Sequence, residues 1–405
     1  MKRLRKIVVS LLLVIACVAS NNINMIFAAG NDNSKDLKKD IKIESLMVPA
    51  EAVTYANNIA SPLISNGLSN VEKFCPNADI DQEWAIGTPF TIFAMDSTSS
   101  AINNTYYFPI INNNEVKLVL SVIKNGDDWN ASVSSDLADQ LNALYTDDNS
   151  YVLYTYDGKL YAENKNLKKV LHDDRNSFGS LDSFNKKTFQ GRINEIDKKY
   201  QNYETSVSDI SDVTTDLGTI AVTYTPSVTV TTDGDTTAGS LIYNSTITFV
   251  TQQDSTGTYR GMCWAACVAN TYRYMKGNST LTAAQVCDTM GIGYDAGATM
   301  AQIYQALVQY SITGYSVKST QITFAKIESN INNAKPVIMV STSGTNAHAT
   351  LLMAYIENDP AFNKNLIAFH NPGTGTFVSS TYSSTGTTYT YGGYTWTWAG
   401  TVSYY

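Results

Sequence analysis

At 405 residues the chain is too long for one average domain, and 43% hydrophobic against 16% charged side chains excludes wholesale disorder. The formal net charge of −8 excludes a basic face for nucleic acid. That charge is uneven, +4 over residues 1–29, −11 over 30–217 and −1 over 218–405, so the acidic middle and the near-neutral C-terminal half read as different units.

The first 29 residues read as a secretory leader. Lys2, Arg3, Arg5 and Lys6 form a basic start, Ile7 to Ala19 an apolar stretch, and Ala28-Ala29 a small-residue cleavage site. Val14-Ile15-Ala16-Cys17 offers an alternative, a lipoprotein box in which lipidated Cys17 would tether the chain to the bacterial surface. No later run is long and apolar enough for a membrane helix. Secretion, and membrane contact only through Cys17, are the expectations.

Residues 30–84 mix short helical patterns with polar spacers. From Pro89 the texture turns β-like: Phe90 to Phe93, Tyr106 to Ile111, a turn at Asn112-Asn113-Asn114, then Val116 to Ile123. Leu137, Leu141 and Leu144 share one face of an expected helix over 135–144. Val152 to Tyr156, Asp157-Gly158 and Leu160-Tyr161 spell a hairpin with a type I′ turn. A small α+β unit over about 85–165 follows. Residues 165–215 are charged, and Val213 to Thr237 reads as a linker carrying at most the strand Ile220 to Tyr224.

The C-terminal half has clearer punctuation. Cys263 to Met275 is a helix with Gly277 at its end. Thr282…Gln285 and Thr299…Gln302 are capping boxes that start two more, and Phe324 to Asn332 is a fourth. Strands follow at Pro336 to Val340, His348 to Ile356 and Leu366 to Phe369. Tyr389 to Tyr391, Gly392-Gly393 and Tyr394 to Trp398 complete them as a hairpin. Helices first and antiparallel strands second is an α+β order.

Five cysteines, Cys17, Cys75, Cys263, Cys267 and Cys287, are too few for a disulfide scaffold, so a functional thiol is sought. Cys263 opens a helix, where free N–H groups and the helix dipole favour a thiolate. Cys267 lies one turn on and reads as structural, with pairing to Cys287 a weak alternative. Of three histidines, His348 begins an apolar strand between small residues and is the best base. Asn371, at the end of the next strand, can orient its imidazole. His370 alternates to the opposite face and reads as structural, and His172 as a solvated residue. Gln252 and Gln253, upstream of the cysteine, are candidate donors to an oxyanion together with the Cys263 N–H. No close C-x-x-C or H-x-x-x-H spacing supports a metal site, and no cofactor is implied.

Cys263-Trp264-Ala265-Ala266-Cys267, Ala347-His348-Ala349 and His370-Asn371-Pro372-Gly373 resemble the papain-like cysteine proteases, particularly the short secreted bacterial ones of the staphopain group. The resemblance covers roughly residues 245–405. It implies Cys263 as nucleophile, His348 as base, Asn371 as orienting amide and Gln252 or Gln253 as oxyanion donor. It also implies a helical half plus an antiparallel β half. Residues 87–92 and 106–110 resemble the propeptide of that group, implying a cystatin-like domain. The expected division is therefore a signal peptide over 1–29, a propeptide over 30–215 and a papain-like domain over 216–405. The expected activity is a secreted endopeptidase acting on proteins or peptides, with its own propeptide as intramolecular inhibitor. Transglutaminase-like or amidase transfer through the same Cys-His pair is one alternative, and a non-catalytic surface-binding protein another. The sequence departs from the family in one place: the glutamine lies further from the cysteine, so Asp254 to Arg260 must be an inserted loop.

Overall fold

The computed structural model describes most of residues 42–173, the segments 206–209 and 219–220, and most of residues 248–405. The leader and its Cys17 lie outside the described residues, as does most of the expected linker. In chain order the molecule begins with β1 (Lys42–Ser45), α1 (Ala50–Leu68), β2 (Trp84–Ile86), β3 (Phe93–Ala94), β4 (Thr105–Asn112), β5 (Glu115–Asn125) and β6 (Asp128–Ser134). It continues with α2 (Ala138–Asn142), β7 (Tyr151–Tyr156), β8 (Lys159–Glu163), β9 (Lys168–Asp173), β10 (Ser206–Asp209) and β11 (Thr219–Ile220). The C-terminal half opens with α3 (Cys263–Lys276), α4 (Ala283–Met290), α5 (Met300–Gln309), β12 (Tyr315–Lys318) and α6 (Phe324–Asn332). It ends in β13 (Val337–Ser343), β14 (Asn346–Asp359), β15 (Lys364–Asn371), β16 (Thr376–Thr381), β17 (Thr388–Tyr391) and β18 (Tyr394–Tyr404).

The fold is α+β. A 12-stranded sheet runs in the order β11-β2-β4-β5-β6-β16-β15-β14-β13-β18-β12, with β17 added on β18. A six-stranded mixed sheet, β10-β1-β7-β8-β9 with β3 on β7, forms a second layer. Period-two alternation on β4 and β5 sets this layering. Phe108, Ile110, Leu118, Leu120 and Val122 point into the large core shared with α1 and the C-terminal half. Tyr107, Val116 and Val119 point the other way, toward α2 and the smaller sheet. Each such aliphatic or aromatic side chain contributes roughly 1.5–3 kcal/mol by leaving water.

Residues Lys39–Tyr405 belong to one compact unit, and the sheet passes from the N-terminal to the C-terminal half without a break. The seam is thin. β6 meets β16 through Ser379 opposite Val133 and Ser380 opposite Ser132. Hydroxyls fill it: Thr381 Oγ1 accepts from the Ala131 N–H at 2.9 Å, and Ser380 Oγ donates to the Ala131 carbonyl at 3.2 Å. Helix α1 packs over β5, β6, β15 and β16, so it covers the seam from one side. The expected unit over 85–165 therefore contributes strands to a larger sheet and is not closed on itself.

Most expected elements appear where their local chemistry puts them. Both capping boxes form, with Thr282 and Thr299 each accepting the N3 amide while the N3 glutamine binds the cap N–H. The Asp157-Gly158 and Gly392-Gly393 turns have positive φ at both central residues, the type I′ signature. Helix α2 is shorter than its leucine pattern suggests, with Leu137 at the cap and Leu144 beyond the end. Helix α1 is longer than the short helical patterns read over 30–84, and β12 and β16 were not expected. Of Ile220 to Tyr224, only Ile220 lies in a described strand.

Gly314 combines φ +86° with a position where an added Cβ would collide with the Tyr404 ring. Gly314→Ala should therefore cost about 2 kcal/mol from backbone strain and ring displacement, lowering the thermal midpoint by several degrees. An unchanged melting curve would contradict this packing.

Candidate active site

Cys263 is the first residue of α3. Its N-cap, Met262, offers no side-chain acceptor, and no carboxylate occupies the first turn. A helix N-terminus favours an anion through its N–H groups and dipole, and Cys263 stands at that position. The helix packs on β14, the strand that carries His348.

The β14–β15 ladder brings His348 to Asn371. Leu351 pairs with His370, so one further step sets Asn371 opposite Thr350, on the His348 face and one side-chain step from it. The His348 Nε2 lies 2.8 Å from Asn371 Oδ1. The Gly373 N–H also reaches that oxygen, at 2.9 Å. Two donors on one atom fix the amide with its oxygen toward the imidazole. His348 must then donate from Nε2, which leaves the basic lone pair on Nδ1.

Tyr389 is buried on the same side of the sheet, and its ring packs against Phe369 with centroids 4.8 Å apart. Burial pushes its hydroxyl up, and the nearby Cys263 and Cys267 thiols push it further. Tyr391 stacks on His348 with ring centroids 4.7 Å apart and planes 21° apart. Trp396 leans on His348 at 5.5 Å, and its indole N–H donates to the Tyr391 carbonyl at 3.1 Å.

Gln252 is held on two sides. Its N–H donates to the Pro372 carbonyl at 3.0 Å, next to Asn371. Two residues earlier, Val250 is gripped through both backbone groups by the Asn270 amide of α3, at 2.6 and 3.0 Å. These bonds place the 250–252 segment between the cysteine helix and the Asn371 turn. The Gln252 side chain is buried, whereas Gln253 is half-buried and its Oε1 accepts from the Thr251 hydroxyl at 3.2 Å.

The Asp254–Arg260 segment closes on itself. Gln253 bridges to Tyr259, and the Arg260 N–H donates to the Gln252 carbonyl at 2.9 Å. Residues 252 and 260 are therefore neighbours, and the intervening loop bulges outward. Asp254 organises it by accepting from the Thr256 amide and hydroxyl, the Thr258 amide and Arg260 Nε. Those bonds, the Thr256 hydroxyl first, hold its carboxyl well below the usual range. Arg260 also reaches Asp295 at 3.0 Å, and Trp264 Nε1 donates to the Ala296 carbonyl, joining the 293–298 loop to the cysteine turn.

Cys267 and Cys287 are free thiols, so the considered pairing between them is absent. His370 is buried with its ring against Phe249 at 4.6 Å and Phe377 at 5.6 Å, as a core residue would be. His172 departs from the expectation of a solvated residue. It is half-buried, and its ring edge meets Tyr391 at 5.0 Å. Asn270, Gly373, Tyr391 and Trp396 were not anticipated. An amide amid the apolar turn Val268-Ala269-Asn270 was the one signal available, because such a group inside a core must bind something. No cluster of three His, Cys, Asp or Glu side chains suited to a metal occurs among the described residues. No family model matches the chain, and no curated protein is significantly similar to it.

Burial raises the other three described thiols: Cys75 and Cys287 are pushed up to about 12, and Cys267 well above its ordinary value. Alkylation of the native chain by iodoacetamide near pH 8 should therefore mark Cys263 and spare Cys75, Cys267 and Cys287 in peptide maps. All four should react in denaturant, and comparable native labelling of Cys267 would contradict the picture.

Proposed function

We propose that the chain is a secreted, papain-like cysteine endopeptidase made as a latent precursor. The observation that carries this reading is the hydrogen-bonded set His348–Asn371–Gly373, which fixes the imidazole tautomer on the strand against which the Cys263 helix packs. In this reading His348 takes the Cys263 proton, and the thiolate attacks a peptide carbonyl carbon. The carbonyl π pair moves to oxygen, where the Cys263 N–H and the Gln252 side-chain amide receive the charge. The tetrahedral species collapses as His348 protonates the leaving amine, giving a thioester. Water, deprotonated by His348, then attacks the thioester and expels the Cys263 thiolate, which regains its proton from the imidazolium. Asn371 keeps the ring in register throughout.

Residues 30–215 form the propeptide and 216–405 the peptidase in this proposal, with cleavage in 190–240. The β6–β16 ladder is only two residue pairs long, which supports a separable pair although α1 and a shared core bridge it. Cys263 is only 7% exposed and His348 2%, which suits a site closed until processing. A cleft of about 430 Å³ beside Gln252 is walled by N-terminal residues, among them Glu115, Asp136, Asp139 and His172.

Hydrolysis of a quenched fluorescent peptide library by processed protein tests the reading. Cys263→Ala and His348→Ala should reduce kcat/KM to background. Gln252→Ala should lower kcat by about 10²–10³, the size of one lost oxyanion donor. Gln253→Ala should stay within a few-fold of wild type. Retained cleavage in Cys263→Ala would defeat the proposal, and a larger loss in Gln253→Ala would reverse the choice of glutamine.

A further inference from the structure

Six consecutive residues, Thr390 to Thr395, form the tip of the β17–β18 hairpin, and every one is held by the N-terminal half. Thr390 Oγ1 lies 2.6 Å from Ser121 Oγ, and Thr395 Oγ1 lies 2.8 Å from Thr105 Oγ1. The Asp136 carboxyl lies near the Gly392 backbone, and the Tyr107 hydroxyl donates to the Gly393 carbonyl at 3.3 Å. The Gly158 N–H donates to the Tyr394 hydroxyl at 3.0 Å. A Cβ on Gly393 would press on Leu160 and Thr155, so this tip has no room to shift inward. The sixth residue is Tyr391, met edge-on by His172 of β9.

Tyr391 has a second set of contacts. Its ring lies flat on His348, and its hydroxyl fills the space that a Cβ on Gly373 would need, beside Asn371 Oδ1. The same side chain therefore touches the N-terminal half on one edge and the His348–Asn371–Gly373 set on the other. Around His172 stand Asp136, Asp139 of α2, Glu115 and Lys117 of β5, and its neighbour Asp173, which is paired with Lys159 of β8.

We propose that Tyr391 is a positioning residue through which the N-terminal half clamps the base: with the hairpin tip gripped, Tyr391 stays pressed over one face of His348, and loss of the grip frees it. This rests on reading His348 as the base. It adds a route by which the N-terminal half acts on that site, through the hairpin. Removal of the half would release all six tip residues together and unclamp the imidazole.

The test uses the intact, unprocessed chain. Only three histidines occur in the sequence, so selective ¹³C-histidine labelling gives three resolvable ring signals. The Tyr391 ring current should move the His348 signal away from its free position. His172→Ala should return it toward that position and speed iodoacetamide alkylation of Cys263 about three- to tenfold, the scale of one lost aromatic pair. His172→Phe, which keeps a ring edge on Tyr391, should hold both near wild type. The His370 signal, on the opposite strand face, should not move and so reports an intact fold. An unmoved His348 signal with unchanged alkylation in His172→Ala overturns the clamp. Equal alkylation of wild type and His348→Ala sinks the base assignment itself, and with it the clamp's regulatory meaning, even where the His348 signal of the wild type is displaced.

Discussion

The register between β14 and β15 is the constraint on which the site depends. It sets Asn371 on the His348 face and sends His370 to the other. A one-residue slip would exchange them, because side chains alternate across a strand. Burial opposes that slip strongly. Leu351, Leu352, Phe369 and Ile367 are all buried, and a slip would swap their packing as well as the site. The amide–imidazole bond is thus held by hydrophobic burial of its neighbours more than by its own strength, which for a single such bond is about 1 kcal/mol.

Around that ladder the molecule places its other parts by backbone bonds. Asn270 ties the cysteine helix to the segment that leads to Gln252, and Pro372 ties that segment to the Asn371 turn. Side chains that would swing freely on a loop are thereby brought to rest against two rigid elements. The electrostatic setting follows from the same packing. Burial raises Cys75, Cys267 and Cys287 above their ordinary range, whereas Cys263 is the first residue of its helix.

Legibility in the sequence followed the range of the interactions. Capping boxes, type I′ turns and the strand periodicities are written within a few residues, and the corresponding elements formed. The pair His348 and Asn371 was readable because neighbouring strand ends meet in any hairpin. The β6–β16 seam was not, since it joins residues about 250 positions apart through serines and threonines that carry no apolar signal. The Asp254–Arg260 insertion read as an obstacle because its length was visible and its closure was not. The bonds from Asp254 to Thr256 and Thr258, with the Arg260 bond to Gln252, turn seven residues into a side loop. His172 was misjudged for a similar reason: its partner Tyr391 lies in the other half of the chain.

The central claim is that Cys263 is a nucleophile served by His348. The most direct measurement is the intact mass of the processed protein after incubation with an epoxysuccinyl inhibitor such as E-64, followed by peptide mapping. The account predicts a single adduct on Cys263, absent in Cys263→Ala and strongly slowed in His348→Ala. An unmodified wild-type protein, or an adduct that forms equally fast without His348, would contradict it.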